Sequence, residues 1–72
     1  MNHPHSRPAY RVERLGAYGW EDVAPAWGML QACRILSSRR GRGETVRIWD
    51  VQRKCADVTV RPGEDWEYEL WK

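Results

Sequence analysis

Phenylalanine is absent from these 72 residues, cysteine occurs twice, and both histidines, His3 and His5, stand near the N-terminus. Each shortage excludes something. With no histidine beyond residue 5, Ser-His-Asp and Cys-His activation of a nucleophile has no base. Cys33 and Cys55 lie 22 positions apart and form no C-x-x-C pair, whereas a secreted disulfide scaffold of this size normally carries four or more cysteines. Two reduced thiols are therefore expected, with Cys33 as a small core hydrophobe. A single Cys33–Cys55 bridge stays open, because a sequence does not report the Cα separation. A Cys/His zinc site is not expected.

Long apolar runs are missing too. Nothing approaches the ~18–20 residues of a membrane span, and the polar start Met1-Asn2-His3-Pro4-His5 lacks the apolar core of a signal peptide. The expectation is a soluble, cytoplasmic chain with no membrane contact. Gly41-Arg42-Gly43 is neither a G-x-G-x-x-G fingerprint nor a P-loop, and it follows a helical pattern instead of preceding one. No cofactor is expected. The carboxylate pairs Glu21-Asp22 and Glu64-Asp65 fall where capping and turn formation explain them. Catalytic residues are expected to be absent. A free amine followed by Met1-Asn2-His3 offers nitrogens to a square-planar Cu(II) or Ni(II), a chemistry such tails share by chance.

What the chain has is tryptophan and arginine. Trp20, Trp27, Trp49, Trp66 and Trp71 supply bulk to a domain short enough that one core contributes only ~3–5 kcal/mol. Arg outnumbers Lys ten to two, and the net charge of +2 is unevenly spread. Residues 1–33 are neutral, 34–54 carry +5, and 55–72 carry −3. Such polarity suits self-association, internal charge pairing or a basic binding face.

Residues 1–8 read as a flexible tail, followed by one domain over 9–72. Ala9 to Leu15 alternates as a half-buried strand, and Gly16 and Gly19 flank a turn. Trp20 extends a short second strand or pins the loop to the core. Asp22 as N-cap and Pro25 in the first turn predict a helix running to about Ser38. Its apolar face is Ala26, Met29, Leu30, Ala32, Cys33 and Leu36, with Trp27 and Ile35 on the other side. Arg39 and Arg40 close its last turn, and Gly41 or Gly43 stops it.

Three strands follow. Val46 and Ile48 alternate with Arg47 and Trp49, and Val58 and Val60 alternate with Asp57 and Thr59. After the Pro62-Gly63 turn, Trp66, Tyr68 and Leu70 alternate with Glu67, Glu69 and Trp71, which would set Arg61 beside Asp65. The expected class is α+β: one helix on an antiparallel or mixed sheet of about four strands, ordered β-α-β-β-β in two layers. Arg11, Glu13, Arg47, Trp49, Thr59 and Trp71 would share the face away from the helix.

Two functions compete. Indoles on a presumed wet face suggest a small protein-interaction module that forms a homodimer through Trp49, Trp71 and Arg47, with Trp27 as a second surface. The size suits an accessory protein of a bacterium or phage, including one that binds a larger machine. The alternative is binding of nucleic acid, as a single strand or by its backbone, through Arg39, Arg40, Arg42, Arg47 and Trp49.

Overall fold

The computed structural model describes residues 7–39 and 42–64. Two strands come first, β1 (Tyr10–Gly16) and β2 (Gly19–Ala26), then the helix α1 (Met29–Ser38), then β3 (Val46–Asp50) and β4 (Cys55–Val60). The four strands form one antiparallel sheet in the spatial order β2-β1-β3-β4. The expected class is present: one helix covers one face of a four-stranded sheet.

The element order is ββαββ, because the run predicted to open the helix is a strand. Gly16 pairs with Gly19 around Ala17-Tyr18, and Gly19 adopts φ +127°, a conformation that side chains disfavour. That turn returns the chain along β1 and pairs Leu15 with Trp20 and Glu13 with Asp22. Asp22 is thus an exposed strand residue and caps nothing. Pro25 stands on the edge strand, where a missing N–H is tolerated as well as in a first helical turn. Pro and Asp are legitimate in both settings, and the hairpin decided between them.

The helix starts later, with Gly28 at the N-cap and no side-chain cap bond. Gln31 compensates by accepting the Trp27 backbone N–H at 2.8 Å, much as a capping-box residue reaches back. Arg39 forms the C-cap, and Gly43, at φ +75°, follows in the connecting loop. Arg40 and Gly41 lie outside the described residues.

Val12, Ala26, Ala32, Cys33, Leu36, Val46, Ile48 and Val60 form the core, with Tyr10, Val23, Met29, Ile35 and Val58 packed at its margin. The helical face differs from expectation in three residues, the first being Ala26, which is buried from β2 and not from the helix. Leu30 is exposed, and Ile35 is turned toward the core. At 100° per residue, both flank the Met29/Ala32/Cys33/Leu36 stripe at similar angles on opposite sides, so helical periodicity treats them alike. How the rod lies on the sheet separates them.

The turn joining β3 to β4 lacks Gly and Pro. Asp50 builds it, its carboxylate accepting the Arg53 N–H at 2.9 Å and its carbonyl accepting the Lys54 N–H at 2.8 Å. Lys54 takes the left-handed conformation at φ 56°. The strand therefore starts at Cys55, earlier than the alternation at Asp57 suggested, and a register shift beside Trp49 absorbs the extra residue. The Pro62-Gly63 turn is present: Glu64 N–H donates to the Arg61 carbonyl, and Gly63 sits at φ 84°. The strand expected after it, with Trp66, Tyr68, Leu70 and the Arg61–Asp65 pair, lies outside the described residues. So does most of the tail, residues 1–6.

Candidate functional site: the sheet face opposite the helix

Register places the outward side chains. Val12 opposite Ile48 points to the helix, so Arg11 opposite Trp49 and Glu13 opposite Arg47 point away from it. The Leu15–Trp20 pair sets Trp20 on that same outer side, and the Arg47–Thr59 pair adds Thr59. Four strands thus carry Trp20, Arg11, Glu13, Arg47, Trp49 and Thr59 on one face.

Arg47 is the centre of this arrangement. Its guanidinium carbon lies 3.9 Å from the Trp20 ring centroid and 4.6 Å from that of Trp49. Both distances are within cation–π range. Its Nε donates to Glu13 Oε1 at 2.8 Å. Arg47 and Glu13 keep side-chain exposures of only 18% and 9%, low for charged groups on the sheet face away from the helix. The two indoles, both half-buried, provide shelter. Arg11 approaches Asp22 at 3.9 Å, so the face holds two cations and two anions.

Trp49 and Arg47 are thus brought together, as the alternation of β3 implied. Trp20 joins them, although sequence reading left it between strand and loop. The signal was available: a two-residue loop between Gly16 and Gly19 fixes a register that puts Trp20 beside Leu15, on the side of Glu13. Trp27 sits between β2 and α1 with about half its surface exposed, and Leu30 is exposed one turn on. They form a separate surface at the helix start. Trp71 and His3 lie outside the described residues.

The basic segment is divided. Arg39 makes three contacts of 2.9–3.1 Å with the Glu44 carboxylate, and Arg14 bridges that same carboxylate at 3.0 Å to Glu21 at 2.7 Å. Hydrogen bonding from Arg14 above all, with help from Arg39, holds the Glu44 carboxyl below its ordinary range against the opposing effect of burial, which outweighs the Arg39 hydrogen bond alone. Arg39 and Arg47 each already hold a carboxylate. Arg42 is exposed in the loop.

Two open clefts of about 230 and 280 Å³ lie on the described surface. One lies between Arg39, Glu44, Val60 and the Pro62-Gly63 turn, and the other runs along the β2 edge between Pro8 and Pro25. Neither gathers a nucleophile with a base, and no group of three His, Cys, Asp or Glu converges among the described residues. No helix among them is long and apolar enough to cross a membrane. Comparison of the chain with family models, with curated proteins and with solved structures returns no match.

Proposed function

We propose that this protein is a small, non-catalytic interaction module that binds protein, including a second copy of itself, through the sheet face carrying Trp20, Arg47 and Trp49. The observation behind this reading is the stack itself: two large rings and a guanidinium held rigid on the side the helix leaves uncovered. Tryptophan and arginine are the residues most enriched at binding hot spots, and ordering them before contact lowers the entropy cost of binding. Trp71 and Trp27 remain further candidate contacts in this reading.

The salt bridges favour a protein partner over nucleic acid. Tracking a phosphate backbone needs a row of uncommitted cations, whereas Arg39 and Arg47 each share their charge with a glutamate and keep only part of the guanidinium open. Acidic Glu13 and Asp22 also lie on the face itself.

Size sets the strength. Four strands about 4.8 Å apart and five residues of about 3.3 Å span roughly 19 by 17 Å, or about 300 Å², against about 800 Å² per partner in a stable interface. Pairing through this face alone is expected to be weak and transient, and a tighter complex needs a partner that reaches beyond it. Sedimentation equilibrium tests the reading. The wild type should associate with rising concentration, and Thr59→Lys, which adds a cation beside Arg47 without removing a ring, should stay monomeric at an unchanged melting temperature. A wild type that remains monomeric at high micromolar concentration overturns self-association.

A further inference from the structure

The orientation of Arg47 narrows the partner's chemistry. Two indoles lie within cation–π range of its guanidinium, and its Nε is taken by Glu13. The Nη groups are the remaining donors. They make no hydrogen bond among the described residues and are not among the atoms buried without a partner. With the Arg47 side chain 18% exposed, the open end of the fork is within reach of solvent. A guanidinium matches a carboxylate with two parallel N–H···O bonds. Arg14 shows that the fold accommodates one arginine between two carboxylates, since it joins Glu21 to Glu44.

We infer that Arg47 is a preformed receptor for an acidic side chain of a partner protein, which docks beside Trp20 and Trp49 and accepts hydrogen bonds from the Nη groups. This rests on the reading that the face is an interaction surface, and it names the group recognised there. The donor pattern selects the occupant. One open fork beside Glu13 and Asp22 suits a single carboxylate, whereas a run of phosphates would meet both acids. The rings suit apolar side chains flanking that carboxylate, which exclude water from the ion pair.

The test uses the full-length 15N-labelled protein and an acetylated, amidated peptide, Gly-Glu-Leu-Glu-Gly, alongside its twin with both glutamates replaced by glutamine. The glutamate peptide should shift the Arg47 side-chain N–H and the Trp20 and Trp49 indole N–H signals, and the glutamine peptide should bind about tenfold more weakly. Arg47→Lys, which keeps the charge but loses the planar fork, should cost a similar factor. The peptide comparison uses only wild-type protein and so stands even where that variant folds poorly. Equal binding of the two peptides at the indoles overturns carboxylate recognition while leaving the face a binding surface. No shift with either peptide also overturns the inference, and sedimentation then judges the interaction surface separately. If oligothymidylate at low salt moves the same signals and the glutamate peptide does not, the ligand class is nucleic acid and the inference fails.

Discussion

Glu13 and Arg47 face each other across β1 and β3, joined at 2.8 Å, with Glu13 less exposed than the arginine it neutralises. A sheltered charge of this kind is costly to leave alone. Glu13→Gln keeps the shape and removes the charge, and should destabilise the domain by about 1–2 kcal/mol in urea unfolding, given the hydrogen bond to a charged group it weakens. It should also broaden the Trp20 and Trp49 indole signals, because the guanidinium loses its fixed orientation.

Acid should loosen the loop between α1 and β3 through Glu44. The Glu44 carboxyl is depressed from the ordinary value of 4.5, chiefly by the hydrogen bond from Arg14 and then by Arg39. A depressed acid binds protons more readily when unfolded, so its stabilisation is complete above pH 4.5 and fades as pH falls toward the folded value. Glu44→Gln should therefore be less stable than wild type at pH 7 and approach it below pH 4.5. Parallel thermal melts from pH 7 to pH 3 check this, and a gap that stays constant over the range contradicts it.

Leu36 and Ile48 are fully buried on opposite layers of the core. Leu36→Ala should cost about 2–5 kcal/mol, comparable to the ~3–5 kcal/mol that a core of this size supplies. The expected result is a largely unfolded chain at 25 °C with collapsed amide dispersion. Ile48→Val, at about 0.5–1.5 kcal/mol, should remain folded with a lower melting temperature.

The thiols should separate by reactivity. Both are free, Cys33 is buried in the core and Cys55 is half-buried at the start of β4. Burial pushes the Cys33 thiol up, away from the reactive thiolate. An aromatic disulfide reagent at pH 8 should label Cys55 in the native protein and Cys33 only on unfolding. Equal native labelling rates would contradict this placement.

Much of the fold was legible because burial imposes a period. The alternation through Val46, Ile48, Val58 and Val60 puts those side chains on the helix side and their neighbours outside, and a register slip would have exposed the whole set. The Pro62-Gly63 turn and the Met29–Leu36 stripe are local in the same sense. The stretch from Trp20 to Pro25 was not legible in that way. Asp22 and Pro25 suit a helix start as well as an edge strand, and only pairing with β1 settles the choice. The turn at Asp50 was hidden for a related reason, since a side-chain hydrogen bond replaced the expected Gly or Pro.

By itself, then, the sequence determined which side chains seek a core, which turns carry glycine, and that no histidine follows His5. Those are properties of single residues and short periods. Only the tertiary structure decided that Trp20 and Trp49, 29 positions apart, would both meet one guanidinium. It also decided that Arg39 would be drawn to Glu44, and that Ile35 would be covered in place of Leu30. Each of these outcomes depends on strands adjacent in space but distant along the chain, where hydrogen-bond register and shared burial act and local pattern does not.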